Sequence, residues 1–176
     1  RINNKSRIVA GYCWEWPSAS RGRTDIHDIL IEEEGFGISW NLNSGEAWAI
    51  DENSVAEAGC IHTAQGLEFD YVGVIIGDDM RLEDGKVITD YTKRAKTDQS
   101  LKGIKTMAKE SPERAQELAD QIIRNTYRTL MTRGQKGCFV YCTDAALGKY
   151  FQERLEREFV YGELERVNMN VAERDK

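Results

Sequence analysis

The sequence predicts an α/β domain with a mainly parallel sheet. Three observations predict it. Tyr71 to Ile76, reading YVGVII, is a continuous β-rich apolar run, the pattern of a strand covered on both faces. Gly137 to Cys142, reading GCFVYC, is a second such run. Between them, Ala115, Leu118, Ala119, Ile122, Ile123, Tyr127, Leu130 and Met131 recur at spacings of three and four, which gives a helix one buried face. Buried strands alternating with amphipathic helices imply parallel crossovers.

Each element follows in order. Arg7 to Tyr12, RIVAGY, reads as the first strand, and Trp14 to Arg23 as a polar loop. Ile29–Ile31, Ile38–Trp40 and Ala47–Ile50 are short apolar pieces broken by Gly, Asn and acids. They read as edge strands of an inserted or flanking unit within residues 14–58. Trp16, Trp40 and Trp48 read as packing residues of that region. Gly59 to His62 is a short strand candidate before a turn at Gly66. Asp84-Gly85, between Met80–Leu82 and Val87–Ile88, is a hairpin signal, so the hairpin and the Trp-rich pieces add an antiparallel part. Lys93 to Lys109 is basic and polar and reads as a mobile loop. Ser111-Pro112 opens the long helix, with Ser as N-cap and Pro in the first turn. Thr132-Arg133-Gly134 ends it. Thr143 or Asp144 caps a last helix through Leu155, and the charged end from Glu163 is expected to fray. The expected organisation is one domain over residues 1–160 and a tail over 161–176.

Composition narrows the function classes. The chain has 176 residues, 40% apolar and 31% charged, which suits one globular unit. No apolar run is long enough for a membrane span. The formal net charge of −6 argues against gripping nucleic acid by bulk charge, though a local basic strip stays compatible with it. Cys13, Cys60, Cys138 and Cys142 form no CxxC pair and lie in or near strand-like runs. They read as reduced core thiols of a cytoplasmic protein, and no metal site is expected. The chain begins at Arg1, without an initiator Met or a signal peptide, and reads as a piece of something longer.

Two segments carry chemistry. Ile61-His62-Thr63-Ala64-Gln65-Gly66-Leu67-Glu68-Phe69-Asp70-Tyr71-Val72 places a polar, Gly-containing turn between two core strands, at strand ends where ligands bind in parallel sheets. A plain crossover with solvated acids is the blander reading. Arg124 to Gly137 is a cation-rich helix end running into a Gly turn. It would hold Arg133 beside Thr132, and a fixed guanidinium donates to phosphate oxygens at several points. Basic residues placed favourably at a helix C-terminus are the blander reading.

The order of the two segments resembles the closing motifs of superfamily 1 helicases. Ile61 to Val72 resembles the motif T-x-H-x-x-K-G-L-E-F-D. Leu130 to Gly134, LMTRG, resembles Y-V-A-x-T-R-A, with a strand following. The phrases RIVAGYCWEW, GCIHTAQGLEFDYVGVIIG and NTYRTLMTRGQKG are similar to a bacterial and viral branch with a Schlafen group 3-like helicase domain. The likeness spans roughly residues 7 to 155. It implies a RecA-like domain of the P-loop NTPase superfamily, the second of two that share a nucleotide in their cleft. It implies Arg133 as an arginine finger. Gly66, Glu68, Thr132 and, more weakly, Arg124 would face the nucleotide, and His62, Thr63 and Gln65 would couple it to the strand. ATP and Mg²⁺ would belong to the full-length protein, and neither is expected to bind this chain tightly by itself. The implied partners are an N-terminal RecA-like domain and single-stranded DNA or RNA. Gln65 stands where many relatives carry Lys, and Gly134 replaces a common Ala. No G-x-x-x-x-G-K-[ST] loop occurs, so hydrolysis by this chain alone is not expected. Two other classes stay open: a helicase-like regulatory or binding module without unwinding, and a nuclease built on Asp51, Glu52, Glu68 and Asp70.

Overall fold

Parallel pairing organises the chain. The structure, a computed structural model, describes residues 5–15, 23, 25–40, 48, 51–64 and 66–157. The main sheet contains β1 (Ser6–Ala10), β2 (Ile29–Ile31), β3 (Phe36–Trp40), β4 (Glu57–Gly59), β5 (Phe69–Ile76) and a last strand, Gly134–Cys142. A separate antiparallel pair is formed by β6 (Met80–Glu83) and β7 (Lys86–Thr89), so the last strand of the main sheet is β8. The sheet order is β2–β3–β4–β1–β5–β8, and only β2 runs antiparallel to its neighbour. This arrangement is consistent with a RecA-like or Rossmann-like fold.

The two apolar runs that predict the fold lie side by side. Val72, Val74 and Ile76 of β5 pair in register with Cys138, Val140 and Cys142 of β8. A register shift between Phe69 and Tyr71 marks the start of that pairing. The long helix α3 (Pro112–Met131) covers one face of the sheet, following α1 (Ile61–Ala64) and α2 (Ile104–Glu110). Its stripe of Ile123, Tyr127 and Leu130 is fully buried against Val72, Val74 and Ile76. A smaller cluster packs Ile104 of α2 on Ala115 and Ala119 of α3. A last helix, α4, spans residues 145–157. It is capped by Asp144, whose Oδ1 accepts from Leu147 N at 2.8 Å. The opposite sheet face holds Trp40, Ile29, Ile38 and Ala58 as a second cluster. Among the described residues no helix is long and apolar enough to cross a membrane.

Several expectations change. β2 and β3 do not form a flanking unit. β3 pairs parallel with β4 through Ser39 and Glu57, so they extend the main sheet. The strand expected at Gly59–His62 ends at Gly59. Thr63 Oγ1 accepts from Cys60 N at 2.8 Å, and Ala64 N donates to Cys60 O at 3.0 Å, which closes a helical turn instead. Ser111 stands at the N-cap of α3, but its side chain makes no capping bond. The Lys93–Lys109 stretch is built from short helical turns and α2 rather than an unstructured loop. Cys138 is exposed, because β8 is an edge strand, whereas Cys60 and Cys142 are buried. Trp40 and Trp48 pack as expected, at 0% and 1% exposure. Trp16, most of the 14–23 loop, the Ala47–Ile50 piece apart from Trp48, Gln65 and the tail from Glu163 lie outside the described residues.

Candidate functional site

The two chemistry-bearing segments meet at the amino ends of β5 and β8. α3 runs antiparallel to the strands, so its last turn arrives where they begin. Thr132 N donates to Arg128 O at 3.2 Å and Arg133 N to Leu130 O at 3.1 Å, which ends the helix with two satisfied donors. The chain then enters β8, and Phe69 N donates to Arg133 O at 2.8 Å. That bond fixes Glu68, one residue earlier, beside the Arg133 turn. Gln135 Nε2 donates to Glu68 Oε2, and Lys136 Nζ reaches Asp70 Oδ2 at 3.0 Å. Hydrogen bonding to Asp70 lifts the Lys136 pKa above its usual value. Gln135 and Lys136 belong to this edge although the motif reading did not single them out. Their signal was their place, one and two residues past the Gly turn.

Among the described residues, the Arg133 side chain bonds only to the end of its own helix. Its Nε donates to Thr129 O at 3.1 Å, and Nη2 to Thr132 Oγ1 at 3.4 Å. Among the described residues no carboxylate pairs with it and Nη1 has no partner. The result is an oriented, half-buried cation at a helix C-terminus, where the dipole also favours it. Gly66 is exposed and takes φ +74°, a left-handed conformation that side-chain-bearing residues adopt only with strain. The turn therefore leads into β5 at the amino ends of the strands. It does not lie at the carboxyl ends, where the ligand crevice of an open parallel sheet forms.

Other candidate residues sit elsewhere. His62 and Thr63 follow β4, whose Gly59 lies level with Val9 and, through β1, with Val74. That level is about 17 Å along the strands from Phe69. His62 is exposed, with its ring 5.8 Å from that of Tyr12, and Thr63 is held on the Cys60 backbone. Arg124 turns toward the hairpin, bonding Asp120 at 2.8 Å and Val87 O at 2.5 Å. It borders a groove of about 1380 Å³ with Arg128, Tyr150 and Phe151, a groove whose lining includes neither Glu68 nor Arg133.

The carboxyl ends of β1 and β5 carry a buried polar network. Asp79 is wholly buried. It accepts from Arg94 Nη1 at 2.9 Å and from the Tyr127 hydroxyl. Arg94 Nε donates to Asp98 Oδ2 at 2.7 Å, and its Nη2 lies 2.6 Å from the same oxygen, off the line of a good hydrogen bond. Gly77 N donates to the Tyr127 hydroxyl at 3.1 Å. Gly11 leaves room for that hydroxyl, since a Cβ there would come within 2.2 Å of it. Burial works against the Arg94 charge, but Asp79 and Asp98 outweigh it, and its pKa lies above the ordinary guanidinium value. Burial, with neighbouring Cys13 and Asp79, raises the Tyr127 phenol well above its usual value. The Cys13 thiol is likewise raised well above normal, chiefly by burial. Sequence reading did not identify this network. Its faint signals were Asp78-Asp79 directly after a buried strand and a Tyr within an otherwise aliphatic helix stripe.

Among the described residues no three His, Cys, Asp or Glu side chains converge on a metal-sized site. The acids of the nuclease reading are engaged separately: Asp70 with Lys136, Glu68 with Gln135, and Asp51 with Asn53 N.

Comparison with known proteins adds a family. The family described as Schlafen group 3, DNA/RNA helicase domain, matches residues 1–144. The chain is also similar to an uncharacterised protein of Saccharomyces cerevisiae, 27% identical over 139 residues. That match covers 77% of this chain and 29% of the yeast protein, so the chain spans under a third of that relative's length. No solved structure matches the chain.

Proposed function

The chain belongs to the Schlafen group 3 DNA/RNA helicase domain family, and on that premise we propose that it is the second motor domain of an ATP-driven helicase or translocase. In this reading Arg133 is the arginine finger, reaching across to a nucleotide cradled by an N-terminal RecA-like domain of the same polypeptide. Thr132, Gly66 and Glu68 line the near wall. Arg124, turned toward the hairpin, is the weaker nucleotide-facing candidate. His62, Thr63 and Gln65 transmit nucleotide state to single-stranded DNA or RNA. ATP is the substrate of the full-length protein, and the acids that hold Mg²⁺ are expected on the other domain.

The observation that carries this reading is the bond from Phe69 N to Arg133 O, at 2.8 Å, which seats the two helicase-like segments against each other on adjacent parallel strands. A guanidinium fixed by its own helix and without a carboxylate partner among the described residues suits charge that develops on a transferred phosphoryl group. The chemistry supplied by this domain is electrostatic, and the proton and metal work belongs elsewhere.

The test is ATP hydrolysis by the full-length protein, with and without oligo-dT or oligo-U, beside Arg133→Ala. Arg133→Ala is expected to lower turnover by about 10³-fold or more while nucleotide binding survives. Unchanged turnover removes the finger. A second reading, a regulatory module that binds without unwinding, is favoured by Gln65 in place of the usual Lys. It would be carried by strand-independent nucleotide binding with no hydrolysis under either strand.

A further inference from the structure

The protein is acidic, yet one stretch of it is not. Between Lys93 and Lys109 the only acid is Asp98, and it is buried in its bond to Arg94. Lys93, Lys96, Lys102, Lys105 and Lys109 are all exposed, and none forms an ion pair among the described residues. Exposed lysines are ordinarily mobile, and a charge run is ordinarily a solvated face.

Here the backbone beneath them is held. Arg94 is clamped between Asp79 and Asp98. Ala95 N donates to Tyr12 O at 2.7 Å, and Lys96 N to Glu15 Oε1 at 3.2 Å. Asp98 accepts from Ser100 N at 2.9 Å, and Ile104 is buried against α3. A hollow of about 300 Å³ lies within the strip, lined by Lys96, Gln99, Lys102, Lys105 and Thr106 together with Arg94. A buried ion triad is an expensive device for fixing a plain connection. It makes sense beneath a surface whose charges must keep a set spacing.

We propose that Lys96, Lys102 and Lys105, which share this hollow, form a phosphate track for single-stranded nucleic acid, held in register by the Asp79–Arg94–Asp98 clamp. The assignment of the ligand rests on the motor reading above, while the location of the track rests on the lysines and the clamp. Neutralising phosphates releases counterions, so each lysine in contact adds about 0.7 to the slope of log affinity against log salt on a single strand.

The experiment measures binding of labelled oligo-dT and oligo-U to the full-length protein across a salt series. Lys102→Gln/Lys105→Gln is expected to make the slope shallower by about 1.4, which is roughly a sevenfold smaller loss of affinity between ~50 and ~200 mM salt. Both positions are exposed, so the thermal midpoint should stay unchanged, and its measurement checks that folding is intact. Lys149→Gln, an exposed lysine on α4 outside the strip, should leave the slope as it was. An unchanged slope in the double variant, or an equal change from Lys149→Gln, overturns the track. Strand-stimulated ATP turnover with an unchanged slope removes the track and keeps the motor. A shallower slope without any ATP turnover removes the motor and keeps the track.

Discussion

The two ends of the sheet solve opposite problems with similar residues. At the amino ends of β5 and β8, Glu68, Asp70, Arg133, Gln135 and Lys136 make separate, partly solvated contacts. At the carboxyl ends, Asp79, Arg94, Asp98 and Tyr127 are sealed from water and joined in one network. An exposed charge pair contributes little to stability, because water competes for both partners. A buried one is committed: removing one member leaves the other without water or counter-charge. The contrast teaches where fold is fixed and where chemistry stays available. Among the described residues Arg133 has no carboxylate partner, whereas Arg94 is held by Asp79 and Asp98.

Substitution at the two ends should separate them, and the largest effect belongs to Arg94→Ala. It strands two buried carboxylates, and the expected loss is about 3–5 kcal/mol of folding stability. Chemical denaturation of the protein, read by far-UV circular dichroism, measures it. A loss near that of a surface substitution would mean that water reaches Asp79 and Asp98, and the clamp beneath the lysine strip would fall with it.

Tyr127→Phe comes next. It removes the donor to Asp79 and the acceptor for Gly77 N while keeping the ring in the core. The expected loss is roughly 1–3 kcal/mol, the range for leaving buried polar groups unpaired. Its pH dependence is a second handle. The folded-state phenol pKa lies above the ordinary value of 10.0, so its contribution is complete below that pH and is lost as pH rises through the folded value. The gap between wild type and Tyr127→Phe should therefore hold at neutral pH and narrow above 10.0. A gap that stays flat as pH passes 10.0 would place the phenol in water, with no shift between folded and unfolded states.

The same contrast explains what the sequence made legible. β5, β8 and α3 could be read because each announces itself within its own window, by a continuous apolar run or a spacing of three and four. The hairpin could be read because Asp84-Gly85 suits a two-residue turn, and both residues do take positive φ. The meeting of Glu68 with Arg133 was nearly legible: two buried-type runs joined by a helix become parallel neighbours, and the residues just before each strand then share an edge. What stayed hidden depends on partners far along the chain. Lys93–Lys109 has the composition of a mobile loop. Its order comes from Arg94 finding Asp79, fifteen residues away, and Tyr127 behind it. β2 and β3 looked like a separate unit because nothing local reveals that β3 pairs with β4. Cys138 was misread as core because an apolar run does not say which strand ends the sheet.

Gln135→Ala at the amino end should have the smallest effect on folding. Gln135 is exposed, and its described side-chain bond is to exposed Glu68. Substitutions of that kind stay within about 0.5 kcal/mol. The substitution sharpens the comparison because stability and orientation can part there. Gln135 restrains Glu68, and the adjoining backbone bond from Phe69 to Arg133 is untouched by losing the amide. If this edge faces nucleotide, Gln135→Ala should leave the denaturation midpoint in place and change the Michaelis constant for ATP in the full-length protein, because Glu68 is free to turn. If the midpoint falls as far as it does for Tyr127→Phe, the amino end is structural scaffold like the carboxyl end, and the division between a sealed end and an available end does not hold.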